Sequence, residues 1–314
     1  MLRRLVAGEL SEDDALSEIR RMQLDELGGR ARLDLGRYMR RGVPEVVLAQ
    51  GKSPEEAATL VVAMARDQGQ GLISRMSPAH EAALRAASAA AGMEVVLGHA
   101  SARVLRAGFT DDVTGGKVGI LTAGTSDVPV AEEARMVAVA CGCETRLEAD
   151  LGVAGLHRFV GPLAATLEWG ADVIVVAAGM DGVLPGLVAG LVDVPVIGLP
   201  VSTGYGHGGA GEAALGTMLQ SCSTGLLVVN IDNGVGAGAA AALIASRAAQ
   251  GRRRGRSTAT TAKTTAPMSS SPKTTPAIAR DRSAPPGTAK RTARPRTAAK
   301  MPTSSHGKPR RRRP

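Results

Sequence analysis

The amino-acid sequence predicts an α/β protein in three parts: a small α/β amino-terminal domain over residues 1–116, a three-layer parallel sheet with helices on both faces over 117–250, and a disordered basic tail over 251–314. Three observations predict this. From Lys117 onward, five short β-branched runs alternate with helix-length segments, the pattern of successive β-α-β units. The runs are nearly continuous in apolar residues, as parallel strands covered on both faces are. After Gly251 the chain turns to Thr, Ser, Pro, Ala and like charge without apolar periodicity. It buries too little surface there to offset the entropy of ordering.

The elements follow in order. The first hundred or so residues alternate helical patterns with short extended ones. Ser53-Pro54-Glu55-Glu56 starts a helix, with Ser at the N-cap, Pro at the first helical position and Glu at the third to close a capping box; it runs to about Asp67. Ser77-Pro78 opens a second helix in the same way, continuing to about Ala90, with strands expected at GLISRM before it and MEVVLG after it. In the second domain the strands are VGILTA from Val118, TRLEAD from Thr145, DVIVVAA from Asp172, VPVIGLP from Val194 and LLVVNI from Leu226. The helices between and after them cover about Val130–Ala140, Arg158–Trp169, Leu184–Leu191, Gly211–Leu219 and Gly238–Ala249.

Composition narrows the function classes. With 314 residues the chain has room for about two domains at roughly 100–200 residues each. Its 2% aromatic content leaves the core to Val, Leu, Ile and Ala and argues against extensive stacking on nucleic-acid bases. The net charge of +9 hides a division. From Gly251 to the end there are 18 Lys and Arg with Asp281 as the one acid, while the rest holds 20 basic against 28 acidic residues, a net −8. The tail either contacts a polyanion through phosphate attraction or serves as a solubilising extension. Three cysteines make no disulfide framework. The start, MLRRLVAGELSEDDAL, shows no signal peptide, and Gly, Asp or Pro interrupt every apolar run well short of the roughly 20 residues a membrane helix needs. A soluble cytoplasmic protein is expected.

In parallel α/β sheets the ligand lies beyond the carboxyl ends of the strands. The first run is followed by Gly124-Thr125-Ser126-Asp127, small residues at a helix start that suit a phosphate or carboxylate, or cap the helix. The Rossmann glycine spacing is absent, which removes the main support for a dehydrogenase. After the second run stand His157 and Arg158, an acid/base group beside an anion-binding fork or a plain helix start. The third ends in Gly179-Met180-Asp181-Gly182, where the acid is either a functional group or a turn residue. The fourth leads into a glycine-rich loop holding His207 and Gly208 that reads as a flap over substrate. Cys222, among hydroxyl residues at a helix carboxyl end, gains no thiolate from the helix dipole. A cationic substrate would supply the missing positive field. The pair Cys141 and Cys143 reads as half-buried thiols.

TAGTSDVP, GLHR, AGMDGVLPG and VPVIGLPV, in this order, resemble the aminoimidazole ribonucleotide carboxylase/mutase (PurE) family from about Lys117 to Ala249. That resemblance implies a flavodoxin-like sheet, nucleotide monophosphate binding and carbon dioxide handling at a subunit interface, commonly in an octamer. A closer resemblance is to the LarB family, which builds the nickel-pincer nucleotide cofactor. It rests on DLGVAGLHR, MLQSC and VNIDNG, and on an amino-terminal series from Leu33 through RRGVPEVV to GKSPEE that the purine enzymes lack.

The LarB resemblance implies carboxylation of the pyridinium ring of nicotinic acid adenine dinucleotide by carbon dioxide or bicarbonate. It also implies hydrolysis of the phosphoanhydride to pyridinium-3,5-dicarboxylate mononucleotide and AMP. It places the nucleophile at Cys222, with Asp181 where the family usually has Glu. On this reading Asp181 is the expected proton-removing base with His157 next, and Gly124, Thr125, Ser126, Asp127, Arg158, Gly179, Met180, His207 and Gly208 bind substrate. Magnesium is expected for the hydrolytic step, with its carboxylate ligand unassigned and no organic cofactor. Arg40, Arg41 and Lys52 either hold the adenylate end or are solvated surface.

Overall fold

The structure, a computed structural model, describes residues 2–21, 24–27, 31–34 and 37–264. Helices α1 (Leu2–Val6) and α2 (Glu12–Arg21) precede an antiparallel hairpin of β1 (Leu24–Leu27) and β2 (Ala31–Asp34). Ser11 begins α2, its hydroxyl accepting the Asp14 N–H at 3.1 Å. Then follow α3 (Arg37–Arg41), β3 (Val46–Leu48), α4 (Pro54–Gln68), β4 (Gln70–Ser74), α5 (Pro78–Ala90), β5 (Glu94–Leu97) and β6 (Ala102–Leu105). The four strands β3 to β6 form a mixed sheet in the order β3-β4-β6-β5, in which only β3 and β4 run parallel.

At α4 only the serine half of the expected capping box is present, and at α5 the box closes with a different partner. Ser53 accepts the Glu56 N–H at 3.2 Å. At Ser77 the box is closed by the His80 ring, which accepts the Ser77 N–H at 3.3 Å. Helix α4 ends where Gly69 takes a left-handed φ of 89°. A Cβ there would lie 2.3 Å from the Phe109 ring, so glycine is required twice over. Ala57, Leu60, Val61 and Met64 of α4 pack with Leu84 of α5 against Ile73 and Val104 of the sheet.

The second domain runs β7 (Lys117–Thr122), α6 (Val128–Ala140), β8 (Glu144–Glu148), α7 (His157–Glu168), β9 (Val173–Ala178), α8 (Leu184–Ala189), β10 (Val196–Pro200), α9 (Glu212–Leu219), β11 (Leu226–Val228) and α10 (Gly234–Thr264). Its five strands are all parallel, in the order β11-β10-β9-β7-β8. Along β9, Val173, Val175 and Ala177 point into a core shared with α6 and α10, while Ile174, Val176 and Ala178 point into one shared with α7, α8 and α9. The two-residue period of the strand thus divides one apolar run between two helix layers. Because the chain passes from β7 to one side and then returns past it to β9, the crevice at their carboxyl ends is the topological switch point.

Two boundaries differ from the sequence reading. Helix α10 starts at Gly234 and continues past Gly251, where the tail was expected to begin, as far as Thr264. Close packing explains the early start: a Cβ at Gly238 would lie 2.3 Å from Ala134 O, so small residues let α10 sit directly on α6. An ion pair holds the first residues beyond Gly251. The Arg252 guanidinium holds the Asp172 carboxylate, whose side chain is 6% exposed, and donates to Gly115 O at 3.1 Å, fixing the helix to the amino edge of the sheet. That contact raises the Arg252 pKa. The expected disorder of residues 265–314 lies outside the described residues.

The domains are joined by polar contacts across an apolar seam. Leu72 of β4 sits in the core of the larger sheet. Gln70 donates to Ala140 O at 2.9 Å. Glu133 of α6, 7% exposed, accepts from the Ser74 hydroxyl with one oxygen and from the Val235 N–H at 3.2 Å with the other. It therefore ties the end of β4 to the start of α10. Glu133→Ala leaves both donors without a partner, and urea unfolding is expected to show a loss of about 2–4 kcal/mol; an unchanged midpoint contradicts this role.

Cys141 and Cys143 are buried and Cys222 is exposed. Burial, then the neighbouring Cys143, pushes the Cys141 thiol up to about 12. Since that folded value is raised, Cys141 contributes stability in full below the ordinary thiol pKa and loses it as pH rises toward 12. Thiol labelling of the native protein at pH 8 should modify Cys222 rapidly and reach the other two only on unfolding.

Candidate active site

The switch-point crevice opens into a cleft of about 510 Å³, within the size range of small-molecule sites. Its walls are the turns that follow four strands: Gly124, Ser126 and Asp127 after β7, Gly152 and Val153 after β8, Gly179 to Asp181 after β9, and Thr203 to Tyr205 after β10.

One buried carboxylate organises three of those turns. Asp127 is 3% exposed. Its Oδ2 accepts the Gly124 N–H at 2.8 Å, and its Oδ1 accepts the Gly179 N–H at 3.2 Å and the Thr203 hydroxyl at 2.7 Å. Gly179 is needed for the middle contact, since a Cβ there would lie 2.2 Å from Thr203 O. The next residue, Met180, takes a left-handed φ of 47°, and its side chain stands half exposed at the mouth. Backbone strain of this kind persists only where surrounding contacts over-determine it. Asp181 is exposed, with Oδ1 3.4 Å from the Val183 N–H, leaving its carboxylate accessible from the cleft.

The structure brings together Gly124, Ser126, Asp127, Gly179, Met180 and Asp181 in this one cavity. Asp127, expected to contact substrate, has its carboxylate engaged by protein donors. Thr125 is exposed in the same one-turn 3-10 segment but does not wall the cleft. His157 and Arg158 stand exposed at the start of α7, and Arg158 pairs with Asp150 at 3.3 Å. His207 is exposed, and Gly208 packs so closely on Ala213 that a Cβ would fall 2.3 Å away. These four residues lie outside the cleft wall.

Cys222 lies elsewhere on the same chain. It follows α9 and precedes β11, whose first residue pairs with the first of β10, so it sits at the amino edge of the sheet. There it lines a separate groove of about 480 Å³ between α8 and α9, which reaches Gly182, the residue after Asp181. Sequence reasoning missed Thr203, the anchor for Asp127, and Tyr205, a cleft wall residue 83% exposed. The only signal for Thr203 was a hydroxyl residue just after a strand end. Among the described residues no three His, Cys, Asp or Glu side chains converge as a metal site. The accessible Asp181 carboxylate in the cleft is a donor of the kind that a phosphate-borne magnesium would take.

A parallel sheet of this order, with a small-residue cleft at its switch point, defines a doubly wound α/β domain, and residues 117–265 match the AIR carboxylase family. Residues 24–108 match the LarB/PurE-like N-terminal domain. The chain therefore belongs to the LarB family, in which that domain precedes an AIR carboxylase domain.

An uncharacterized protein of Methanocaldococcus jannaschii is 39% identical over 240 residues, covering 76% of this chain and 93% of the relative. N5-carboxyaminoimidazole ribonucleotide mutases of Pyrococcus abyssi and Thermotoga maritima are 36% and 32% identical over 91 residues. Those stretches are 28% of this chain and about half the length of each mutase. Family membership makes this a carboxylase-type enzyme.

Asp127→Ala removes the acceptor for three loops at once. The expected result is a loss of about 2–4 kcal/mol in unfolding free energy, together with faster amide exchange at Gly124 and Gly179. Slow exchange at both amides in the variant would contradict the bracing role.

Proposed function

We propose that the protein carboxylates the pyridinium ring of nicotinic acid adenine dinucleotide and hydrolyses its phosphoanhydride, giving pyridinium-3,5-dicarboxylate mononucleotide and AMP. The observation that carries this reading is the presence, in one chain, of the LarB/PurE-like N-terminal domain ahead of the AIR carboxylase domain. The accessible thiol at Cys222 supports it.

A pyridinium carbon is electron-poor and does not attack carbon dioxide. The Cys222 thiolate adds to the ring carbon para to nitrogen, and the ring becomes a dihydropyridine whose adjacent meta carbon is an enamine carbon. That carbon bonds to carbon dioxide. A base, Asp181 on this reading with His157 as the other candidate, then takes the proton from the same carbon. The electron pair returns to the ring as the carbon–sulfur bond breaks and the thiolate leaves. One hard step is split into easier ones. The positive ring favours the thiolate at a helix end that offers it no help. In the second reaction water attacks a phosphorus of the diphosphate and AMP departs; charge neutralisation at the phosphates is the chemistry that a bound magnesium would supply there.

Asp181 and Cys222 lie at opposite edges of the sheet within one chain, so the thiol reaches the cleft from a neighbouring copy in a homo-oligomer. The exposed Met180 and Tyr205 beside the cleft and Leu187 and Leu219 beside the groove are the surfaces such a neighbour would cover.

A second reading, aminoimidazole ribonucleotide mutase, is favoured by the 91-residue similarity to the mutases. Mass spectrometry of products separates the two. Purified protein with nicotinic acid adenine dinucleotide, bicarbonate and magnesium should yield a mononucleotide heavier by one carboxylate plus AMP. Turnover of a carboxyaminoimidazole ribonucleotide alone would decide for the mutase. Subunit mixing tests the shared site: Cys222→Ser and Asp181→Asn, each inactive alone, should regain activity when their chains are unfolded and refolded together. Mixed oligomers without activity would place thiol and acid in one chain.

A further inference from the structure

A second cavity lies on the other side of the α6 amino terminus. It measures about 240 Å³ and is formed between the domains by Arg75, His99 and Ser101 from the first and Val130, Glu133 and Asp232 from the second. Three non-glycine residues on its wall, Arg75, Ala100 and Asp232, hold left-handed φ values of 56°, 51° and 54°. Ser101 is 1% exposed, and its hydroxyl is buried without a hydrogen-bond partner. Native proteins pair nearly all such groups, and one left open in a cavity wall is accounted for by a ligand or ordered water.

The charges on the wall are not equivalent. Both Glu133 oxygens are engaged, by Ser74 and by Val235. Asp232 uses Oδ1 to accept the Ser202 N–H at 2.8 Å, and its Oδ2 has no protein donor among the described residues. Arg75 donates to Asp232 O at 2.8 Å and to Gln50 at 3.5 Å, which leaves three of its five N–H groups open. His99 is exposed beside it. The pocket thus offers free donors at Arg75, His99 and Ser101 and one free carboxylate oxygen at Asp232. A phosphate monoester takes the first set, and the hydroxyls of a ribose donate to the second.

Position links this pocket to the cleft. Ser126 and Asp127 wall the cleft, while Pro129 and Val130 wall the pocket, so the first turn of α6 separates them. That 13-residue helix has no acid in its first turn. With Asp127 at its N-cap, the Val128 N–H bonded to Thr125 O and Pro129 without an N–H, the helix start leaves a diphosphate that joins the two cavities to be held by the pocket groups rather than by the helix amides.

We propose that the interdomain pocket binds a nucleoside monophosphate unit, the AMP half of a dinucleotide whose other half lies in the cleft. This assignment to the second half rests on the substrate reading above, but the binding chemistry is independent of it. The amino-terminal domain on this account supplies half of the substrate site.

The test is calorimetric titration of the full chain with AMP and, separately, with nicotinic acid mononucleotide. Arg75→Ala should weaken AMP binding about tenfold and the exposed-site variant His99→Ala about threefold, while mononucleotide affinity stays within about twofold. Unchanged thermal midpoints show that both variants are folded. AMP affinity unaltered in both variants, mononucleotide affinity falling in parallel, or no AMP binding to the wild type at millimolar concentration would each overturn the proposal. A protein that makes no carboxylated dinucleotide product yet binds AMP through Arg75 keeps the pocket and loses only the substrate reading.

Discussion

The candidate site depends on the burial of one carboxylate. Asp127 brings the ends of β7, β9 and β10 to a common point, through two backbone N–H groups and one hydroxyl. A buried charge left unpaired is costly, so the three turns must stay where they satisfy it. The cleft has that shape because its floor is electrostatically fixed, and its small residues follow from the same constraint: at Gly179 the donor can approach only if no Cβ intervenes.

A parallel sheet places function at one edge, and here the acid obeys that rule while the thiol does not. Asp181 follows a strand and Cys222 precedes one. The chemistry proposed for the pair requires them together, and on that proposal a neighbouring copy supplies the thiol. The amino-terminal domain has a corresponding place. Its strand β4 ends against the start of α10 through Glu133, and the polar groups just beyond that strand end face the start of α6. The two domains meet over the stretch of chain that a two-part substrate would cross.

Much of this was legible in the sequence, for physical reasons that can be named. Continuous apolar runs spaced by helices specified β7, β9, β10 and β11, their spacing placed the more polar β8, and Ser-Pro pairs specified the starts of α4 and α5. Glycine-flanked Asp181 at a strand end pointed to the cleft. Contacts far apart in sequence were not legible. Asp127 looked like a cap or a ligand contact because its partners Gly179 and Thr203 lie 52 and 76 residues away. The short strands β3 and β6 carry too few residues to show a period. The passage of α10 beyond Gly251 is anchored by Arg252 on Asp172, 80 residues earlier. The place of Cys222 was legible: a residue shortly ahead of a parallel strand belongs to the amino edge, and Cys222 stands just before the strand that begins at Leu226.

The central claim is that a single sulfur converts an electrophilic ring into a carbon nucleophile. The most direct measurement is the rate of carbon-13 bicarbonate incorporation into nicotinic acid adenine dinucleotide by the Cys222→Ser protein relative to the wild type. The account predicts a fall of at least about a thousandfold, because an alcohol is a far weaker nucleophile at neutral pH than a thiolate. Incorporation at an undiminished rate would contradict it.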